Sequence, residues 1–186
     1  MKNAPETGAA PGRSAAVLLC LATAAANILA DRITKVAAAA LLKGKGTFVF
    51  LKGLLVLRYT ENRGAFLSLG QAWPEGIKTA VLLILPLLMC LALFLHSLLR
   101  ERDRTRIVLF ATIAAGGTGN LADRLFNDFY VIDFLNFGIG NLRTGILNVA
   151  DLSITFGAVL LILLEFRHRK DPRGTSPQAE PPGTGE

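Results

Sequence analysis

The chain has 186 residues, of which 52% are hydrophobic and 18% charged, and its formal net charge is +6. A mean hydropathy of +0.45 is too apolar for an ordinary soluble domain of this length and fits a small polytopic membrane protein. The basic residues gather at the ends of apolar runs, with no aromatic interleaving, which excludes nucleic acid as a partner and points to cytoplasmic membrane flanks.

Residues 1–13 are rich in Ala, Gly and Pro and are expected to form a disordered cytoplasmic tail. The first span is placed at residues 14–42, interrupted by Asp31-Arg32-Ile33-Thr34-Lys35. A cleaved signal peptide and a lipoprotein signal modified at Cys20 are alternatives for this start. Leu19 is too bulky for the second of these, and three more apolar segments follow, so a retained helix is favoured. Cys20 and Cys90 both lie inside apolar runs and read as small core residues.

Residues 43–70 form an outer β region. Within it Thr47-Phe48-Val49-Phe50-Leu51 and Leu54-Leu55-Val56-Leu57-Arg58-Tyr59-Thr60 are β-formers around Lys52-Gly53, which predicts a small hairpin. Trp73-Pro74 suits an interfacial anchor before the second span, residues 77–99. Pro86 is expected to kink that helix, and His96 near its end reads better as an interfacial side chain than as a proton relay. After an arginine-dense loop at residues 100–106, the third span takes residues 107–123. Residues 126–147 mix aromatics with turn residues and are read as a loop at the membrane surface. The fourth span is residues 149–166, and residues 167–186 form a second disordered cytoplasmic tail.

The fold class expected is thus an all-α membrane protein of four transmembrane helices with a small extracytoplasmic β-hairpin. The basic flanks put both termini in the cytoplasm and residues 43–76 and 126–147 outside. The third helix then runs outward and the fourth inward, so Asp123 and Asp151 reach the same outer level. Ionisable groups at membrane depth are functional by default. Asn120 and Asp123, like Asn148 and Asp151, stand at i and i+3 on one helical face, so each Asn can orient a carboxylate, a water or a peptide. Close carboxylates share a proton, and such a pair activates water without a metal or a nucleophilic side chain. Gly116, Gly117 and Gly119 allow the close helix approach this needs, though ordinary helix packing would use them equally. With two His and two Cys in apolar or flanking positions, no metal site and no cofactor is expected. Ser68 and Ser153 lack an evident base.

Five ordered blocks carry a family resemblance: Asp31-Arg32-Ile33-Thr34-Lys35, Asn62-Arg63-Gly64-Ala65-Phe66, Gly119-Asn120-Leu121-Ala122-Asp123-Arg124, Val131-Ile132-Asp133-Phe134 and Asn148-Val149-Ala150-Asp151. With them, residues 14–166 resemble lipoprotein signal peptidase, the bacterial signal peptidase II. The resemblance implies a four-helix intramembrane aspartic endopeptidase that removes signal peptides from prolipoproteins, cutting before a diacylglyceryl-modified Cys. It implies localisation in the bacterial inner membrane, contact with membrane lipids, a monomer, and an active site near the extracytoplasmic face.

By the same resemblance Asp123 and Asp151 are the catalytic dyad. Asp31, Lys35, Asn62, Gly64, Asn120, Arg124, Asn148 and Ala150 match motif positions around the site and the lipid. Lys35 and Arg124 read equally as ligands of phosphate or carbonyl groups and as snorkelling boundary charges. Asp133 matches a motif too and is assigned a structural role in the outer loop. The hairpin resembles the family's β-cradle, and together with the aromatic loop it is expected to clamp the substrate peptide. The glycine block departs slightly from the family's usual order, and the Asn62 block is one small residue short before Phe66. A proton- or ion-coupled carrier and a non-catalytic scaffold are the rival readings.

Overall fold

The computed structural model describes residues 11–65 and 69–170. The two expected tails lie largely outside the described residues, as do Phe66 and Ser68. Four long helices and four strands make up what is described: α1 (Arg13–Leu42), β1 (Thr47–Phe50), β2 (Leu55–Asn62), α2 (Glu75–Leu99), α3 (Arg104–Phe126), β3 (Val131–Ile139), β4 (Leu142–Arg143) and α4 (Val149–Lys170).

Three of the helices, α1, α2 and the Val149–Arg167 part of α4, are long and apolar enough to cross a membrane. Only 22%, 17% and 11% of their most apolar windows are buried, so their apolar side chains mostly face outward. On α2 alone Leu85, Leu87, Leu88, Met89 and Leu91 are exposed, the inverse of a water-soluble amphipathic helix. Helix α3 has 23 residues but carries the glycines, Asn120, Asp123 and Arg124, and many of its residues are buried against the other helices. α3 is the central helix, packed against α1, α2 and α4. Asp103 precedes it and accepts the backbone N–H of Arg106 at 2.8 Å, which closes the first turn.

The kink expected at Pro86 is a change of helix type. Thr79–Ile84, just before it, is a π-helical turn. Proline lacks the N–H that would bond back to Leu82 and crowds that carbonyl, and a wider turn relieves both faults.

β1 and β2 form a hairpin, with Phe50 paired to Leu55 across a turn at Leu51–Gly53. The segment read as a surface loop corrects that reading. Val131–Ile139 is a nine-residue strand and joins the hairpin in one four-stranded antiparallel sheet, ordered β1-β2-β3-β4. Asn62 pairs with Val131 and Thr60 with Asp133, with a bulge between Leu57 and Thr60. The sheet packs on the end of α1 through Ala38, Leu42 and Phe134, supported by Leu57, Tyr59 and Val149. A second apolar cluster, Ala16, Cys20, Ile107 and Ala111, holds the opposite end of the bundle. Along α1 and α3, the buried polar residues lie between these two cores.

The glycines of α3 permit this packing. A Cβ on Gly116 would stand 2.7 Å from the Ala150 carbonyl, and one on Gly119 2.6 Å from Asp31 Oδ2. Neither position tolerates a side chain without moving α4 or α1.

Candidate active site

Two polar clusters lie side by side between α1, α3, α4 and the sheet. The first is a closed ion network. Lys35 Nζ reaches Asp31 at 3.0 Å and Asp123 at 2.8 Å, while Arg32 reaches Asp31 at 2.8 Å and Asp123 at 2.7 Å. Two cations balance two carboxylates, which is the condition for charges to be tolerated in a low-dielectric interior. Asp123 is fully buried and receives two further donors, Asn127 Nδ2 at 3.2 Å and the Ile132 N–H at 3.2 Å. Asp31 also accepts the Ala150 N–H at 3.1 Å. The network therefore fastens α1 to α3, the start of α4 and β3.

The second cluster surrounds a cavity of about 210 Å³ lined by Asn62, Asn120, Arg124, Asp133 and Asp151 together with apolar residues including Pro86 and Leu147. Asp133 comes from β3. Its two oxygens accept Asn62 Nδ2 at 2.9 Å and Asn148 Nδ2 at 2.6 Å. Asp151, in the first turn of α4, accepts Asn120 Nδ2 at 2.8 Å and the Asn148 N–H at 3.1 Å. Asn148 Oδ1 in turn accepts the Asp151 N–H at 2.9 Å, a reciprocal capping box that fixes both residues. Burial raises the Asp133 carboxyl to about 7, and the nearby Asp151 carboxylate adds to the rise against the opposing pull of the two Asn donors.

Arg124 lines the same cavity. Its guanidinium donates to the carbonyls of Gly64 at 2.9 Å and Asn120 at 3.3 Å. Gly64 is held in turn by Asn62, whose Oδ1 accepts the Gly64 N–H at 2.9 Å. The end of β2 is thereby tied to the end of α3.

These positions revise several expectations. Asp123 does not line the cavity. It is separated from Asp151 by Lys35 and Asn120, and cations and N–H donors occupy both of its oxygens. Lys35, 1% exposed, neither snorkels nor faces a lipid phosphate. Arg124 does meet carbonyl groups. Asp133, expected to have a structural role in the outer loop, lines the cavity beside Asp151. Asn62, Gly64, Asn120 and Asn148 all join the cluster, and Ala150, 1% exposed, supplies the small surface against Gly116 and Gly119. His96 stacks edge-on against Phe110 near the other end of the bundle. No group of His, Cys, Asp or Glu suited to a metal ion occurs among the described residues.

Residues 23–167 match the family model described as Signal peptidase (SPase) II. A lipoprotein signal peptidase of Paraburkholderia phytofirmans is 35% identical over 175 residues, covering 92% of this chain and 96% of the relative. One from Burkholderia cenocepacia is 36% identical over 154 residues, covering 78% and 86%. Among solved structures, a bacterial membrane enzyme determined by the in meso method at 2.3 Å resolution superposes with a TM-score of 0.71 at 21% identity. That match covers 88% of this chain and 94% of the other. A second, at 1.9 Å resolution, gives a TM-score of 0.67 at 23% identity, over 83% and 94%. Both show a shared fold.

Proposed function

The chain belongs to the signal peptidase II family and is a membrane-bound peptidase, and we propose that it removes signal peptides from bacterial prolipoproteins by an intramembrane aspartic mechanism in which Asp133 and Asp151 form the dyad. The observation that carries the choice of dyad is the shared cavity: Asp133 and Asp151 both line it, while Asp123 is saturated behind it.

The chemistry follows from two carboxyl groups with one proton between them. The ionised member takes a proton from a water as its oxygen attacks the scissile carbonyl carbon. The protonated member gives its proton to the carbonyl oxygen, which leaves a neutral tetrahedral diol. As this collapses, the first carboxyl returns its proton to the leaving nitrogen and the second recovers one from a diol hydroxyl. The C–N bond breaks and the dyad ends with the single proton it began with. A carboxyl at about 7 exchanges that proton near neutral pH, which suits Asp133 to the task. Arg124 stands at the cavity wall, where a guanidinium suits peptide carbonyls.

The substrate in this reading carries a diacylglyceryl-modified Cys whose acyl chains stay in the lipid while the peptide enters the cavity. The chain crosses the membrane four times, α3 being the polar central span, with both termini cytoplasmic, the sheet and dyad at the extracytoplasmic side, and a monomer as the working unit. Support for α3 as a span comes from its 23 residues and its packing against all three apolar helices. The test is to incubate the purified protein with a prolipoprotein peptide in lipidated and unlipidated forms and to locate any cut by mass spectrometry. Cleavage immediately before the lipidated Cys, and none of the unlipidated form, is expected. Equal cleavage of both would remove the lipid from the recognition scheme.

A further inference from the structure

Asn120 stands between the ion network and the cavity, and its amide has only one workable orientation. Lys35 Nζ lies 3.0 Å from Asn120 Oδ1, and an ammonium can only donate, so the atom it meets must be the oxygen. Asn148 Nδ2 donates to the same oxygen at 3.0 Å. The amide nitrogen is left facing Asp151 Oδ1 at 2.8 Å, where it donates. Turning the amide over would set its nitrogen against two donors and its oxygen against a carboxylate oxygen. Three favourable contacts would become repulsive together.

We propose that Lys35 is a positioning residue for hydrolysis: its ammonium fixes the polarity of the Asn120 amide and, through it, the orientation of the Asp151 carboxylate. The inference rests on Asp133 and Asp151 being the dyad. Lys35 does not line the cavity and is 1% exposed, so it acts through Asn120 and touches no substrate. Asp31 and Asp123 hold the ammonium in place from the other side, at 3.0 Å and 2.8 Å. On this account the buried carboxylate of Asp123 serves the dyad as a counter-charge one step removed. The polarity also runs on to Asp133, because Asn148 Nδ2 divides its protons between Asn120 Oδ1 and Asp133 Oδ1.

Replacing Lys35 alone would strand two carboxylates around one arginine, so the test uses a charge-balanced variant, Lys35→Met with Asp123→Asn, which leaves Arg32 on Asp31. A second variant, Asn120→Asp, keeps an acceptor for Lys35 and Asn148 but has no N–H for Asp151, and it leaves all four network residues in place. Both are expected to lose kcat by about tenfold or more, the scale of a misplaced reacting group, with KM within about twofold of the parent. In an Asn120→Leu background, the charge-balanced change should add no further loss, since its route to the dyad is already gone. Parental kcat in either variant, a loss confined to KM, or losses that multiply in the combined protein would overturn the proposal. If the charge-balanced protein does not fold, the alternative charge balance, Lys35→Met with Asp31→Asn, which leaves Arg32 on Asp123, takes its place. Asp133→Asn and Asp151→Asn are run beside them. Activity in either would undo the dyad itself, whereas two inactive dyad variants with an active charge-balanced protein would undo only the role of Lys35.

Discussion

Asn148 donates its side-chain amide to Asp133 at 2.6 Å, joining β3 to the residue that opens α4. The same side chain accepts the Asp151 N–H, so one asparagine sets the positions of both carboxylates. Asn148→Ala removes a helix cap and leaves Asp133 with one fewer donor. A loss of about 1–2 kcal/mol in stability is expected from the cap alone. Activity per folded molecule should fall further, by about 100-fold, as both carboxylates lose their alignment. Thermal unfolding in detergent and a cleavage assay separate the two effects.

Asp123→Asn should behave as a stability variant. It leaves Lys35 and Arg32 facing Asp31 alone, an uncompensated charge in a buried site, and removing one partner of such a network costs about 3–5 kcal/mol. Urea or thermal denaturation in detergent should show this loss. The protein that remains folded should keep more cleavage activity than any variant of Asp133 or Asp151.

How much of this was legible in the sequence can be judged from the two Asn-x-x-Asp patterns. Each spacing suggests an Asn that orients a carboxylate, a water or a peptide. At Asn148 the carboxylate is that of Asp151, its neighbour in sequence, because the pair begins a helix and forms a capping box. At Asn120 it is not that of Asp123. That pair lies inside α3, where Asn120 serves Asp151 and Asp123 turns to α1. Linear spacing does not record which neighbouring element a helical face meets. The apolar helices and the β-formers are legible, since hydrophobic runs and β-formers are local signals. The strand Val131–Ile139 was hidden because Asp133 and Asn136 interrupt its apolar pattern and its partner, β2, lies far upstream. Without that strand Asp133 has no fixed place beside Asp151.

The raised Asp133 carboxyl predicts the pH dependence of stability. In the unfolded chain this group titrates near 4, and in the folded protein at about 7, so between those values the folded state holds more protons. Stability contributed by the protonated form is therefore present at low pH and is lost as pH rises through 4 to 7, by on the order of a few kcal/mol in total. The apparent melting temperature should fall between pH 5 and pH 8 in the parent, and Asp133→Asn should flatten that slope. An unchanged slope would mean that Asp133 is not the titrating group.

Gly119→Ala should destabilise by about 1–3 kcal/mol, the usual range for overpacking a tight interior. The new methyl would meet Asp31 Oδ2 at 2.6 Å, and that oxygen is pinned by Arg32 and Lys35 and has little room to give. Gly12→Ala, whose Cβ would meet nothing within 4 Å, is the control and should melt close to the parent.

The most direct test of the central claim is the cleavage rate of a diacylglyceryl-modified prolipoprotein peptide by Asp133→Asn, measured beside Asp123→Asn and corrected for the folded fraction of each. With Asp133 and Asp151 as the dyad, Asp133→Asn should lose about 1000-fold or more, as when a catalytic acid–base group is removed, and Asp123→Asn much less. Parental activity in folded Asp133→Asn, with Asp123→Asn inactive, would contradict this and return the dyad to Asp123 and Asp151.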